Sequence, residues 1–286
     1  MTTRKPVFAG SWYPSGSAEC EKQIQAFLQE TRFQTEIDGD FTAGIVPHAG
    51  WPFSGDLACR VISQLASGQT PPDVVVVFGM HLPPDAPPHI MTEGWWATPF
   101  GEMEIASDLA EKVTADHRFR IETARDFAPE NTIELQLPFV KYFFPEARLL
   151  PVGPPAAENA IRIGKSVVSH ARALNLSLQI IGSTDLTHYG PSFGFQPAGT
   201  GRNAFEWVRD TNDRRVIDEM IATNPEAVIK EALSNHNACC PGAAAAAITA
   251  AKNLGAQKAD LVGYSSSYEK NPGDTFVGYA GIVYAR

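Results

Sequence analysis

Short runs of consecutive apolar residues, rich in β-branched side chains, recur along the chain and predict strands that are buried inside a sheet. Each run is only a few residues long and is followed by a turn or a polar segment. We predict strands at Ala43–Pro47, Val74–Gly79, Leu149–Gly153, Leu178–Gly182, Leu261–Tyr264 and Gly278–Tyr284.

The segments between these runs show the three-to-four-residue spacing of apolar positions that is typical of helices. In Ser17–Glu30, for example, Ala18, Ile24, Phe27 and Leu28 fall at roughly helical spacing. Helices alternating with strands predict an α/β sandwich with a mainly parallel, partly mixed central sheet flanked by helices. The further helices that we predict are Asp56–Leu65, Ser107–Thr114, Thr132–Phe144, Ala157–Leu174, Arg214–Thr223, Pro225–Leu233 and Gly242–Leu254.

Two long loops interrupt the predicted elements, at Leu82–His89 and Gly190–Gly201. The chain has no internal repeat and no Gly/Ser linker, so we expect one domain spanning residues 1–286. In a compact domain, loops of this length often carry function.

Composition and charge exclude several classes of protein. The 286 residues carry a formal net charge of −9, which argues against nucleic-acid and anionic-membrane binding. No run of 18 apolar residues is present, and the first residues lack the apolar core of a signal peptide. Four cysteines in a chain of this length do not make a disulfide framework. We therefore expect a cytoplasmic, reducing location.

Ionisable residues follow three of the predicted strands. His48 comes directly after the first, His81 after the second, and Asp185 and His188 after the strand Leu178–Gly182. Each histidine alone could simply belong to a turn or to the exposed surface. Because ligands bind at the carboxyl edge of open α/β sheets, the three together predict one shared site.

A cysteine near the start of a predicted helix is a candidate for the third ligand of that site. Pro241 suits the first turn of a helix, which puts Cys240 at or next to the N-cap, where the helix dipole stabilises a thiolate. The neighbouring Cys239 leaves open which sulfur functions. Since consecutive side chains of extended backbone face opposite sides, we expect Cys239 to point away and Cys240 to have the lower thiol pKa.

Two further motifs allow simpler interpretations. In "ENTIELQLPF", Asn131 or Thr132 suits a helix cap, and Glu134 would then complement the helix dipole. In "GSWYP", Trp12 and Tyr13 are aromatic residues of a kind that more often lies in the core.

The motifs "AGSWYP", "PHAGWPFSG", "FGMH", "ENTIELQLPF", "STDLTHYG", "HNACCPG" and "GYAGIVYAR" follow one another in this order from about Phe8 to the end of the chain. In this order they resemble the Memo family, whose bacterial and archaeal members are often called AmmeMemoRadiSam system protein B. The family's fold is similar to that of the LigB-type class III extradiol dioxygenases, which use non-haem Fe(II). The resemblance implies a metal pocket at His48, His81 and Cys240, lined by the catalytic candidates Asp185 and His188.

Three positions depart from the family pattern. One residue separates Gly79 from His81 where the family usually has two, Asn131 stands where histidine is usual, and Cys240 is followed by proline instead of glycine. These differences suggest a divergent subgroup whose metal and activity differ from those of other members.

Three functions follow as hypotheses. The first is an iron-dependent oxidoreductase that acts on a small molecule with His188 as a base; two imidazoles and a thiolate suit Fe(II), and also Zn(II) or Cu(I), better than Mg(II). The second is a non-catalytic adaptor that holds a metal or a peptide, and the third is metal-free chemistry of the Cys240 thiolate. The substrate and the oligomeric state stay open.

Overall fold

The computed structural model describes residues 2–33, 37–68 and 70–286. Its strands are β1 (Thr3–Arg4), β2 (Phe41–Val46), β3 (Val74–Phe78), β4 (His89–Met91), β5 (Trp95–Thr98), β6 (Gly101–Glu104), β7 (Arg120–Glu122), β8 (Arg148–Gly153), β9 (Leu178–Ser183), β10 (His188–Tyr189), β11 (Lys258–Ser266) and β12 (Phe276–Ala285). Its α-helices are α1 (Ser17–Gln29), α2 (Trp51–Leu65), α3 (Ser107–Asp116), α4 (Asn131–Glu134), α5 (Leu137–Phe143), α6 (Glu158–Ala173), α7 (Gly201–Trp207), α8 (Asp213–Ile221), α9 (Pro225–Asn235), α10 (Pro241–Asn253) and α11 (Ser267–Lys270).

A large mixed sheet forms the centre of the molecule. In the described residues it has nine strands, and eight of them follow the order β10-β12-β2-β9-β3-β8-β4-β7. The ninth strand, β11, lies outside this order and pairs with β12. Strands β2, β9, β3 and β8 run parallel to their neighbours in this group, whereas β12 is antiparallel to β2. The predicted α/β sandwich with a mainly parallel, partly mixed sheet is confirmed.

The apolar strands are buried because helices cover both faces of the sheet. Side chains along β3 alternate between the faces: Val74, Val76 and Phe78 lie in the core on one side, and Val75 and Val77 in the core on the other. Helix α10 packs on β9 and on α6 at the first face, while α2 packs on β2 and on α1 at the second. All six predicted strands are present, with ends that differ by a few residues.

The predicted helix Thr132–Phe144 is wrong as a single element, because the structure divides it into α4 and α5. Pro138 lies in the first turn of α5 and has no backbone N–H. A continuous helix would set its ring against the carbonyl group of Glu134 four residues earlier. The chain therefore forms two short helices with a turn between them.

No helix in the described parts of the chain combines the length and the apolar character needed to cross a membrane.

The strand order brings three strand ends together. Strand β9 lies between β2 and β3, and all three run in the same direction. The residues that follow β2, β3 and β9 therefore meet at one edge of the sheet, which is where the candidate site lies.

Candidate metal centre

Two histidines and two cysteines converge at this carboxyl edge. His48 follows β2, His81 follows β3, and Cys239 and Cys240 directly precede α10. One ligand atom of each residue lies within 4.8 Å of those of the other three. His48 and Cys240 are buried, Cys239 is half-buried and His81 is exposed. The structure thus brings together the three residues predicted as metal ligands and adds Cys239.

His48 is held on three sides. Its backbone N–H donates to Asp185 Oδ1 at 2.7 Å, its Nδ1 lies 3.0 Å from Ser183 Oγ, and its Nε2 lies 3.2 Å from Cys239 Sγ. Since the Ser183 hydroxyl donates to the carbonyl oxygen of Thr132 at 2.7 Å, Ser183 Oγ can accept from Nδ1–H. This arrangement leaves Nε2 facing the sulfur of Cys239.

The charges of the site explain the protonation of His48. Burial lowers the pKa of His48, but the Asp185 carboxylate and the Cys239 sulfur outweigh this effect and raise the pKa to about 9. Without a metal, His48 is therefore an imidazolium that pairs with two negative neighbours, and a metal bound at Nε2 would replace its proton.

The thiol pKa values of the two cysteines are shifted in directions opposite to those expected. Burial raises the pKa of the Cys239 thiol, but hydrogen bonding to Cys240, the positive charge of His48 and hydrogen bonding to His188 lower it well below the ordinary value. Burial and the negative charge of Cys239 raise the pKa of Cys240 well above it. The expectations that Cys239 points away and that Cys240 has the lower thiol pKa are wrong.

Backbone contacts explain this difference. The N–H of Cys239 donates to the carbonyl oxygen of Asp185 at 3.1 Å, and the N–H of Cys240 donates to Thr184 Oγ1 at 3.0 Å. Cys240 is indeed the N-cap of α10, as predicted, but its side chain is only 2% exposed. The segment after β9 thus fixes both cysteines, and the sulfur of Cys239 meets the histidine.

Asp185 and His188 lie beside the metal candidates. Asp185 Oδ2 is 3.8 Å from His48 Nε2 and 4.0 Å from His188 Nε2. Burial raises the pKa of Asp185, and the charge of His48 opposes this. Burial lowers the pKa of His188, but the Cys239 sulfur and the Asp185 carboxylate raise it above its ordinary value. His188 Nε2 is buried, and the His188 side chain is hydrogen-bonded to Cys239.

The donor set fits a transition metal. Two imidazole nitrogens and two sulfurs are the ligands found in zinc sites and in sites for other soft or borderline metals. Mg(II) and Ca(II) prefer oxygen ligands, of which the cluster offers none.

Comparisons with known proteins show the family and the fold of this chain. The family model described as Memo-like protein matches residues 4–283. The chain belongs to the Memo family. Among its relatives are MEMO1 family proteins of Methanopyrus kandleri, 33% identical, and of Thermococcus onnurineus, 30% identical. Each alignment covers 99% of both chains. A crystal structure of an uncharacterized Escherichia coli K12 protein has the same fold, with a TM-score of 0.53 at 11% identity over 85% of this chain and 99% of that one.

In this Memo family protein His81 lies in the cluster, although only one residue separates it from Gly79. Met80 has a left-handed backbone, with φ of 69°, and its N–H donates to Thr132 Oγ1 at 2.6 Å. A Cβ atom on Gly79 would lie 2.3 Å from the same oxygen, so only glycine fits there. The departure from the family pattern therefore leaves His81 in the cluster.

Helix α4 begins at Asn131, which stands where the family usually has histidine. Asn131 donates from Nδ2 to the carbonyl oxygen of His48 at 3.0 Å, so this residue supports the histidine turn. The N-cap is Glu130, which accepts the N–H of Ile133 at 3.2 Å, and Asn131 and Thr132 are the first two residues of the helix, next to the cap. Sequence analysis missed Thr132 and Ser183 as supports of the site.

Glu134 has a role that the spacing did not indicate. Its buried carboxylate accepts the N–H groups of Val7 at 2.8 Å and Phe8 at 2.6 Å, and the hydroxyl of Tyr13 at 3.2 Å. Glu134 thus fixes the N-terminal segment, and the prediction that it simply complements a helix dipole is wrong. Tyr13 is buried, while Trp12 is 39% exposed and does not belong to the core.

A cleft of about 480 Å³ opens over the site of this Memo family member. His81, His188 and Cys239 line it, and both long loops contribute to its walls through Leu82 and Phe193. A larger cavity of about 810 Å³ lies at the opposite edge of the sheet, beside the amino ends of β2 and β9, and contains none of the site residues. The smaller cleft is therefore the one that is relevant to the chemistry.

Proposed function

We propose that this Memo family protein is a metal-dependent oxidoreductase that binds Fe(II) at the floor of the cleft and acts on a small molecule there. The observation that supports it most is the cluster of imidazole nitrogens and sulfurs within 4.8 Å of one another, open to the cleft through His81 and Cys239. His48, His81 and Cys239 are the proposed ligands, and Cys240 is a fourth donor behind them. Zn(II) and Cu(I) are the alternative metals.

The metal would supply redox or Lewis-acid chemistry at the substrate atom next to it. The chain supplies orientation and protons. Asp185 accepts the N–H of His48 and balances the positive charges of His48 and His188. His188 lies at the cleft floor, where the Cys239 sulfur and the Asp185 carboxylate raise its pKa above the ordinary value, and it can exchange a proton with a bound ligand.

A second function is a non-catalytic binding protein. It is favoured by the presence of Cys240, because four protein ligands fill a tetrahedral coordination sphere, as in structural zinc sites. The number of sulfur ligands therefore separates the two functions: one sulfur leaves a position open for substrate, and two sulfurs close it.

We also propose a reducing, cytoplasmic location, and a small molecule or peptide as ligand rather than nucleic acid or membrane. The four free cysteines and the net charge of −9 support these proposals.

Protein freed of metal without oxygen and titrated with Fe(II), Zn(II), Cu(I) and Mg(II) tests the proposal. We expect one equivalent of Fe(II) to bind and to raise the melting temperature, and X-ray absorption to find one sulfur and two imidazole ligands. Mg(II) should have little effect. Equal stabilisation by all four ions would refute the metal site, and two sulfur ligands to Fe(II) would favour the binding protein.

A further inference from the structure

We propose that the cleft binds an uncharged molecule with a ring-sized apolar body and one polar group directed at the floor. This proposal deepens the proposed function by naming the ligand class of the same site, and it rests on that function for the identification of the cleft as the substrate site.

The lining of the cleft carries no full countercharge for an ionic ligand. Among the described residues that line it there is no aspartate, glutamate, lysine or arginine, and its ionisable groups are His81, His188, His236 and Cys239. An ionic ligand would lose its hydration here without gaining a partner, which is costly in free energy.

Two large apolar side chains are exposed at the cleft. Phe193 is 44% exposed and Leu233 is 47% exposed, and they come from separate elements, the 3₁₀ turn Pro191–Phe193 and α9. Exposed apolar groups gathered at a concave site are typical of ligand grooves.

Aromatic rings continue this apolar wall inward. Phe193 packs on the ring of His188 with centroids 4.8 Å apart, and Phe195 packs on His236 at 5.2 Å. A flat ring can lie against such surfaces with little loss of conformational entropy.

The wall is formed before a ligand binds. Gly190 has φ of 112°, and a Cβ atom there would lie 2.1 Å from the carbonyl oxygen of Asp274, so the turn depends on glycine. The N–H of Gly190 donates to the carbonyl oxygen of Phe195 at 2.7 Å and closes the turn. A preformed wall avoids the cost of ordering a loop on binding.

The floor supplies the single polar contact. The exposed His81 and the half-buried His188 and Cys239 line the floor of the cleft. A ligand hydroxyl or carbonyl group can form its hydrogen bond with these imidazole and sulfur groups. The cleft volume of about 480 Å³ lies within the range of small-molecule sites.

Three fluorinated probes with the same ring test this ligand class: 4-fluorobenzyl alcohol, 4-fluorobenzoate and 4-fluorobenzylammonium. Their binding to the full chain is measured by ¹⁹F NMR at pH 7, first without metal and then with Zn(II). In the metal-free protein we expect the alcohol to bind at least about tenfold more tightly than either ion, since a tenfold ratio needs a difference of only about 1.4 kcal/mol.

Substitutions at the exposed Leu233 provide the matched variants. Leu233→Lys should strengthen benzoate binding, Leu233→Glu should strengthen benzylammonium binding, and each should weaken binding of the alcohol about threefold or more. Ile121, which is 45% exposed on β7 and does not line the cleft, is the control. Ile121→Lys should leave all three affinities unchanged.

The proposal is overturned if either ion binds the metal-free protein as tightly as the alcohol, if none of the probes binds, or if Leu233→Lys and Ile121→Lys behave alike. Metal titration distinguishes a failure of this ligand class from a failure of the proposed metal site. Loss of metal binding with the alcohol preference intact would refute the metal site alone, whereas metal binding without that preference would refute the ligand class alone.

Discussion

Two sulfur atoms 3.8 Å apart have very different environments. Cys239 Sγ lies 3.2 Å from an imidazole nitrogen of His48, and hydrogen bonding to Cys240 and the charge of His48 lower the pKa of Cys239. Cys240 is enclosed by the protein and lies next to a negative sulfur, which raises its pKa. A thiolate is both the nucleophile and the metal ligand, so the chemistry of the pair belongs to Cys239.

Alkylation mapped by mass spectrometry checks this assignment at the residue scale. In metal-free protein near neutral pH we expect iodoacetamide to modify Cys239 first, and bound metal to protect it. Cys239→Ser should weaken metal binding by roughly 100-fold or more, because a serine hydroxyl stays protonated, while the matched variant Cys240→Ser should change it less than about tenfold. Faster labelling of Cys240 would contradict this assignment.

The sequence could place the cysteines but could not orient them. Pro241 correctly indicated the start of a helix, and the alternation of side chains in extended backbone then suggested that Cys239 faces away. The orientation depends instead on hydrogen bonds to Asp185 and Thr184, which are more than 50 positions away in the chain. Local patterns carry no information on such contacts.

At the scale of elements, α4 connects two of the strand ends that build the site. Thr132 accepts the N–H of Met80 through its hydroxyl oxygen and the hydroxyl of Ser183 through its carbonyl oxygen. The turn after β3, which carries His81, and the end of β9 are thereby held in fixed positions. This four-residue helix has little stability of its own, so it depends on these contacts.

Thr132→Val keeps the shape of the side chain but removes the hydroxyl oxygen. We expect it to lower the free energy of unfolding by about 1–3 kcal/mol, because the Met80 N–H is then buried without a partner. Metal affinity should fall several-fold as His81 loses its fixed turn. Thr249→Val is the control, since its buried hydroxyl contacts only Ala245 of its own helix. Calorimetry and metal titration of both variants provide the measurements. Equal metal affinities would show that the hydrogen bonds of Thr132 do not help to position His81.

The longer elements could be predicted because each has a periodic apolar pattern. The short ones could not: β10 has two residues and α4 has four, too few for any period to appear. The break at Pro138 was visible in the sequence, but the strong apolar pattern on both sides favoured one continuous helix. The proline ring, which would clash with the carbonyl group of Glu134 in a continuous helix, decided against it.

At the scale of the whole molecule, Asp213 is a buried acid that joins several elements. At the start of α8 it accepts the N–H of Thr187 at 3.0 Å and the hydroxyl of Tyr264, on β11, at 2.7 Å. Burial raises the pKa of Asp213 to about 7, and the two hydrogen-bonding residues and the charge of His188 only partly oppose this. The carboxyl group therefore holds a proton in the folded protein at a pH where the unfolded chain has lost it.

This difference predicts a dependence of stability on pH. Between 3.8, the ordinary pKa of an aspartate in an unfolded chain, and about 7, the folded state binds the extra proton. The contribution of Asp213 to the free energy of unfolding therefore falls as pH rises through this interval and levels off above about 7. We expect Asp213 to contribute a fall on the order of 2–4 kcal/mol, since one pKa unit is worth about 1.4 kcal/mol.

Asp213→Asn mimics the protonated acid and is the matched variant. Urea unfolding of both proteins at pH 5 and pH 8 should show the variant losing less stability than the wild type over this interval. Parallel losses would show that Asp213 does not titrate in this range.

The class of fold could be predicted from the sequence because strands and helices alternate and the strands are uniformly apolar. The strand order could not, since β9 takes its place between β2 and β3 through pairings that no local pattern specifies. The shared site was nevertheless predictable, because any parallel order brings the carboxyl ends to one edge.

The contact between His48 and Cys239 spans 191 positions of the chain. At ribosomal speeds of about 5–20 residues per second, the imidazole waits on the order of 10–40 s for its sulfur partner to be synthesised. Until then a growing chain presents only the two histidines of the proposed metal site, so a metal that needs the sulfur ligands would bind only after α10 has docked. Any product that terminates before residue 239 therefore lacks both sulfur donors, and metal retention distinguishes complete molecules from truncated ones.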